Sequence, residues 1–308
     1  MLTQIDGLHH VTSLASDAPG NNAFFAGVLG LRRVKTTVNF DNPRVYHLYY
    51  GDRIGTPGTV MTHFPFQDAA PGTRGTGETG EVAFSIPPAS LAAWEARLEG
   101  AGVTGMMRET RFGAPRLVFP GPDGERLALV EAEDPRTPWT GGDIPEGMAI
   151  RGLHSVTLTV AEDAPLRGLL RAMGYAAGPS EGPLQRMAQG TGGPARIIDI
   201  ETRPDLPPAR EGAGSVHHIA FRVADRAAQD AVRAALLDRG CKVTGVRDRD
   251  YFHAIYFRTG AGILFEVATD EPGFTRDEPE AHLGEALRLP DQHAHLREEL
   301  ERTLVPLD

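Results

Sequence analysis

Apolar positions along the chain switch repeatedly between a two-residue and a 3.6-residue period. The run Val216-His217-His218-Ile219-Ala220-Phe221-Arg222-Val223 opens after Gly214 and Ser215 and reads as a strand. Alternation places His217, Ile219, Phe221 and Val223 on one face and His218, Ala220 and Arg222 on the other. The apolar face is expected against a helix, which turns His217 toward that helix and His218 toward something polar. Leu264-Phe265-Glu266-Val267 reads as a second strand after Gly260 and Gly262. Glu266 sits there between two apolar residues, where a carboxylate is costly to bury unless a positive partner such as a divalent metal meets it.

The same alternation of periods recurs along the chain. Gly7-Leu8-His9-His10-Val11-Thr12 reappears as Gly152-Leu153-His154-Ser155-Val156-Thr157, half a chain later, so the sequence reads as a duplication. Each half divides again. In the first module a helix over 21–29, with Phe24, Phe25, Val28 and Leu29 at helical spacing and a stop at Gly30, precedes strands over 33–38, 45–50 and 59–64. The second opens at Glu81-Val82-Ala83-Phe84-Ser85-Ile86 and carries Leu91, Trp94 and Leu98 on one helix face, with strands near 103–109, 116–119 and 126–131. The third runs over 150–201 with a helix after Pro165. The fourth has a helix over 226–239 and closing strands over 252–257 and 263–268. The fold class is therefore α+β, four βαβββ modules. Residues 1–140 form an N-terminal domain of two modules, 150–272 a C-terminal domain of two, and 273–308 an extension with a charged amphipathic helix over 291–303 that serves as a lid or a subunit contact in a homo-oligomer.

Composition narrows the partners. The chain has 308 residues, 41% of them hydrophobic, and a formal net charge of -10 without a Lys/Arg cluster, which argues against nucleic acid or an anionic membrane surface. Its lone cysteine, Cys241, cannot form an internal disulfide and points to a reducing compartment. Neither a leader pattern nor an apolar run of membrane-spanning length is present, so the cytoplasm is the expected location.

This modular pattern resembles the vicinal oxygen chelate superfamily, which includes glyoxalase I, extradiol ring-cleaving dioxygenases and drug-binding proteins. The resemblance implies paired modules forming cupped, incomplete barrels, with a metal held by a His early in a module's first strand and a Glu late in its last. At those positions stand His10 in the first module and His218 with Glu266 in the fourth. The second and third modules offer Glu81, Ala128, Ser155 and Asp199 instead, and Thr62 occupies the late position of the first. If His10, His218 and Glu266 bind together, modules one and four share the metal-bearing barrel. Two His and one carboxylate leave open positions, as in non-heme Fe(II) oxygenases.

Tyr46-His47-Leu48-Tyr49-Tyr50, Gly55-Thr56-Pro57-Gly58-Thr59-Val60-Met61-Thr62, Thr110-Arg111-Phe112-Gly113, Gly273-Phe274-Thr275-Arg276-Asp277-Glu278 and the two His-His pairs resemble the (chloro)hydroquinone dioxygenase branch. That resemblance implies Fe(II), with Mn(II) as its substitute, on His10, His218 and Glu266. It also implies His9, His217, Arg249 and Tyr256 around an aromatic substrate that reacts with O2. A glyoxalase-like lyase or isomerase would need a fourth ligand such as Glu81 or Asp199, and a non-catalytic binder would need no metal. His47, His63, His154, His282, His293 and His295 read as hydrogen-bonded structural residues, and the acidic run 277–280 as solvated surface.

Overall fold

A computed structural model describes residues 2–307. Its strands are β1 (Leu8–Ala15), β2 (Arg32–Val38), β3 (Tyr46–Gly51) and β4 (Val60–Pro65) in the first module, and β5 (Glu78–Ile86), β6 (Met107–Arg111), β7 (Ala114–Pro120) and β8 (Arg126–Glu131) in the second. The third contributes β9 (Gly152–Val160), β10 (Ala176–Glu181), β11 (Leu184–Ala188) and β12 (Ile197–Thr202). The fourth contributes β13 (Val216–Val223), β14 (Arg247–Asp248), β15 (Phe252–Arg258) and β16 (Leu264–Pro272).

These strands form two eight-stranded sheets. One runs β14-β15-β16-β13-β1-β4-β3-β2 and the other β10-β11-β12-β9-β5-β8-β7-β6. Modules one and four thus share a sheet, as do two and three, and each sheet takes one module from either half of the chain. Within a module the first and last strands pair in parallel, as β1 with β4 and β13 with β16. The modules join through antiparallel pairs, β1 with β13 and β5 with β9.

Four helical segments follow the opening strands. The first is not one regular helix: α1 (Ala18–Asn22), capped by the Asp17 carboxylate, continues as a π-helix over Ala23–Val28 that buries Phe24 and Phe25. The others are α2 (Leu91–Gly100), α3 (Ala164–Ala172) and α4 (Arg226–Asp238). Each buries the residues spaced at three and four, Leu91, Trp94 and Leu98 in α2 and Val232 and Leu236 in α4. One apolar core joins these faces to Leu8, Val11, Ile219 and Phe221 of the first sheet and Phe84 and Leu127 of the second. No helix among the described residues is long and apolar enough to cross a membrane.

The acidic run after β16 is solvated surface except at Glu278, which is buried. The Lys35 side chain, fully buried in β2, donates to Asp277 at 2.6 Å and to the buried Glu278. Such a buried charge is tolerated because carboxylates meet it. The Tyr251 hydroxyl also reaches Asp277, at 3.1 Å. The following segment lies so close along β2 that a Cβ at Gly284, whose φ is +78°, would stand 2.0 Å from the Arg33 carbonyl oxygen. Beyond it a 3-10 turn (Asp291–Leu296) and α5 (Arg297–Thr303) contact the first module, through Gln292 to the Phe40 carbonyl and Arg44 to Glu299.

Candidate metal centre and its cavity

The sequence places a His-His pair in each of the two central strands, and strict alternation would send the two rings of a pair to opposite faces. Both strands break that alternation. Between Leu8↔Phe221 and His10↔Ala220, β1 advances two residues while β13 advances one, so His9 is the extra residue of a β-bulge. Between Thr12↔His218 and Ser13↔Val216 the surplus lies in β13, and His217 is the extra residue. A bulge re-aims a side chain and locally increases twist. His217 accordingly points away from the helix side, contrary to the alternation reading, and both rings of each pair lie side by side.

The inner rings converge across the β1–β13 seam. The Nε2 atoms of His10 and His218 are 3.3 Å apart, and Glu266 Oε2 lies 3.7 Å from the first and 3.0 Å from the second. Glu266 reaches this point because Ala220, its cross-strand neighbour in β13, leaves room beside the histidines. All three side chains are buried, and neither Glu266 oxygen accepts a hydrogen bond of ordinary geometry. Burial lowers the His10 imidazole well below its usual pKa, against the pull of Glu266, and holds His218 down to about 3, with Arg249 adding to the effect.

His9 fixes the tautomer of His10. His9 Nε2 is 3.1 Å from the Thr269 carbonyl oxygen, which only accepts, so this nitrogen carries the hydrogen. Its Nδ1 is then the acceptor of the 2.9 Å contact with His10 Nδ1, which must donate. A neutral His10 holding its hydrogen on Nδ1 presents a bare Nε2 lone pair toward Glu266. Burial keeps His9 neutral too, at a pKa of about 4. In the second pair the Nδ1 atoms are 2.7 Å apart. The bare His10 nitrogen, His218 Nε2 and the Glu266 carboxylate therefore converge with nothing positive between them. This donor set fits a divalent cation, and the three groups all lie within 4.8 Å of one another.

A cavity of about 390 Å³ opens over these donors. Phe40, Phe64 and Phe252 give it aromatic walls, and His47, His217, Arg249 and Tyr256 supply polar groups. Arg249 Nε donates to the Tyr256 hydroxyl at 3.1 Å, and its guanidinium stacks between the Phe40 and Tyr256 rings. Burial and the neighbouring Glu266 carboxylate raise the Tyr256 pKa well above 10, so the phenol stays protonated. Asp250, the next residue, has a φ of +64° and accepts from Arg276.

Of the predicted residues, His10, His218, Glu266, His217, Arg249 and Tyr256 meet in this cavity. His9 does not line it; it borders a smaller cavity of about 200 Å³ behind the site, beside Tyr251 and Phe274. His47, read from sequence as structural, is hydrogen-bonded to Thr62 Oγ1 at 2.9 Å and Tyr49 Oη at 2.8 Å but also lines the cavity. Leu48 and Tyr50 occupy the core, so alternation along β3 carried that signal. His63 makes no hydrogen bond through either ring nitrogen.

The second sheet repeats the geometry with different chemistry. Thr12↔Thr62 in the first sheet matches Ala83↔Ala128 in the second, which puts Glu81 where His10 stands. Likewise Arg186↔Asp199 matches Tyr256↔Glu266. Glu81 is met by Arg111 at 2.9 Å, Arg126 at 2.8 Å and Arg116, and Asp199 by Arg186 at 2.8 Å. Neither carboxylate reaches the first cup. There, the fourth position is Thr62, whose hydroxyl is tied to Thr12 at 2.8 Å.

With two cups built from paired βαβββ modules and a two-His, one-Glu cluster at the floor of one, the architecture defines a glyoxalase-type protein with a candidate metal site. The family model for the Glyoxalase/Bleomycin resistance protein/Dioxygenase superfamily matches residues 115–267. Over 304 residues the chain is 40% identical to MhqO of Bacillus subtilis, provisionally named a ring-cleaving dioxygenase, covering 98% of this chain and 96% of that one. It is 35% identical over 312 residues to the chlorohydroquinone/hydroquinone 1,2-dioxygenase of Sphingobium indicum, covering 98% and 96%. The chain belongs to this superfamily, and its full-length relatives lie in the ring-cleaving dioxygenase branch. A crystal structure of a provisionally assigned dioxygenase from Bacillus subtilis superposes with a TM-score of 0.95 at 39% identity, covering 99% of this chain and 98% of that one. Glyoxalase I from Zea mays shares the fold alone, with a TM-score of 0.62 at 13% identity over 86% of this chain and 92% of that one.

Proposed function

We propose that this protein is an Fe(II)-dependent ring-cleaving dioxygenase of extradiol type, acting on a hydroquinone or catechol, with Mn(II) as an alternative metal. The observation that carries the reading is Glu266, a buried carboxylate without a hydrogen bond of ordinary geometry, facing the Nε2 atoms of His10 and His218. When bound there, the metal supplies Lewis acidity and the redox partner that lets dioxygen react with an aromatic ring.

The remaining groups act on the substrate. Phe40, Phe64 and Phe252 hold a single ring and exclude water from the floor. Tyr256, kept protonated, donates to an oxygen of the substrate, and Arg249 holds the phenol in place while contributing fixed positive charge where oxyanion character develops. With His218 Nδ1 donating to His217 Nδ1, the outer His217 nitrogen carries a hydrogen into the cavity. Burial and His218 hold the His217 pKa down to about 4, so it serves as a neutral donor near pH 7. Both atoms of O2 enter the product as the bond between a hydroxylated carbon and its neighbour breaks, so no external reductant is consumed. A cytoplasmic setting accords with the lone free Cys241.

A lyase of glyoxalase I type would need a fourth protein ligand, and Glu81 and Asp199 are engaged by arginines on the other sheet. The test is anaerobic Fe(II) reconstitution followed by oxygen uptake with hydroquinones and catechols, beside His218→Ala. Uptake matched by ring-opened product and lost in the variant is expected. Stoichiometric Zn(II) binding with no oxygen consumption would overturn the assignment.

A further inference from the structure

The second cup encloses more space than the first, about 590 Å³, and no part of the proposed reaction uses it. Its floor is the cluster around Glu81. Arg111, Arg116 and Arg126 are within ion-pair distance of Glu81 and Glu109, three cations against two carboxylates. The three arginines hold the Glu81 pKa down to about 2 despite burial, so it is ionised and fully engaged. A divalent metal would find no free donor there.

A small anion would find several. Arg126 spends its Nε on Glu81 at 2.8 Å, while its side chain stays 41% exposed at the cavity wall. Arg74 lies on the same wall and donates to the carbonyls of Gly80 and Gly124, which orient the guanidinium without neutralising it. Arg74 makes no close ion pair among the described residues, its charge acting at longer range on Glu78 and Glu125. The lining carboxylates have partners: Glu201 has Arg203 at 3.6 Å, itself held by Asp205 at 2.7 Å, and Thr159 at 3.3 Å, and Glu78 has the Gly75 backbone N–H at 2.9 Å and the nearby charge of Arg74. A cavity lined by four arginines, Arg74, Arg111, Arg126 and Arg203, against three carboxylates, Glu78, Glu81 and Glu201, in a chain of net charge -10 is suited to a carboxylate, whose two oxygens match the planar fork.

We propose that the second cup is a binding site for a small organic carboxylate, held by Arg126 and Arg74 above the Glu81 cluster. The ring-opened acid formed by the proposed dioxygenase belongs to this chemical class. That link alone depends on the proposed activity; the binding itself does not.

The experiment is isothermal titration of the full-length protein with succinate, and with succinamide as an uncharged molecule of similar shape. Succinate is expected to bind once per chain and succinamide not at all. Arg126→Gln and Arg74→Gln should each weaken succinate binding about tenfold or more. Arg74 is exposed and outside the ion-pair network, so Arg74→Gln keeps the test valid even if Arg126→Gln disturbs folding, which circular dichroism would register. His218→Ala, in the other sheet, should bind succinate unchanged, which separates this site from failure of the metal centre. The absence of succinate binding, equal affinity for succinamide, full affinity in Arg74→Gln, or loss of binding in His218→Ala would each overturn the proposal.

Discussion

The Nδ1 atoms of His9 and His10 lie 2.9 Å apart, and the far nitrogen of His9 is 3.1 Å from the Thr269 carbonyl. That chain of contacts runs from a backbone oxygen on β16 through two rings, and it fixes which nitrogen of His10 is bare. His9 lies outside the cavity where the resemblance implied it, and is expected to act through His10 as a positioning residue. His9→Leu should lower Fe(II) affinity about 10- to 100-fold, the usual effect of losing a partner that orients a ligand. His9→Gln, with both an acceptor oxygen and a donor NH2, should recover part of it. Competitive metal titration of the two variants checks this; equal affinity in His9→Leu and the unaltered protein would remove the argument.

Glu266 gives a prediction with opposite signs in two states. Without metal, its buried carboxylate faces the Nε2 atoms of two imidazoles and accepts no hydrogen bond of ordinary geometry. Glu266→Gln replaces that charge by an amide whose NH2 can donate to His218 Nε2. The metal-free variant should be more stable than the metal-free parent, by about 1–3 kcal/mol, the cost of an unsatisfied buried polar group. Added Fe(II) should then stabilise the parent and not the variant, because a ligand stabilises only the state that binds it. Thermal unfolding with and without metal reads both signs, and a metal-free variant less stable than its parent would refute the first.

Tyr256 and Arg249 are expected to separate chemistry from metal binding. Tyr256→Phe removes the buried hydroxyl that Arg249 contacts at 3.1 Å while keeping the ring between the guanidinium and the site. Its kcat should fall about 100-fold, at the low end for a positioned proton donor, with Fe(II) affinity unchanged. Arg249→Lys should behave similarly, since an ammonium cannot both stack on Phe40 and hold the phenol. Steady-state oxygen uptake with metal quantified in each sample distinguishes these outcomes from simple loss of iron.

The modular fold was legible because each strand and helix advertises its period and because Gly7-Leu8-His9-His10 repeats at Gly152-Leu153-His154-Ser155. Comparing the modules also isolated His10, His218 and Glu266, and from them the pairing of modules one and four that the sheet order displays. Alternation alone turned His217 toward the helix side, while the resemblance set it beside the cavity it lines. A bulge is a property of two paired strands, and a single strand's pattern does not contain it. Glu278 was misread for a similar reason: its partner, Lys35, lies 243 residues away in sequence, and nothing local marks the pair. His47 could have been found, since Leu48 and Tyr50 fix the inward face of β3 and leave His47 on the other.

His63 should set part of the protein's acid sensitivity. Its ring is buried between Phe25 and Tyr50, centroids 4.2 and 5.8 Å away, and neither nitrogen has a hydrogen-bond partner. Burial holds its pKa down to about 3, against an ordinary value of 6.5. Between those values the unfolded chain binds the proton and the folded chain does not, so stability rises with pH across the window. The contribution is fully present above about pH 6.5 and is lost as pH falls toward 3, with a limiting slope of about 1.4 kcal/mol per pH unit. His63→Phe removes the titrating group and suits the aromatic surroundings. Between about pH 7.5 and about pH 5 the variant should therefore lose about 2 kcal/mol less stability than the parent. Denaturant unfolding of both proteins at the two pH values measures the difference directly, and parallel losses would mean that His63 takes up its proton in the folded state as readily as in the unfolded chain.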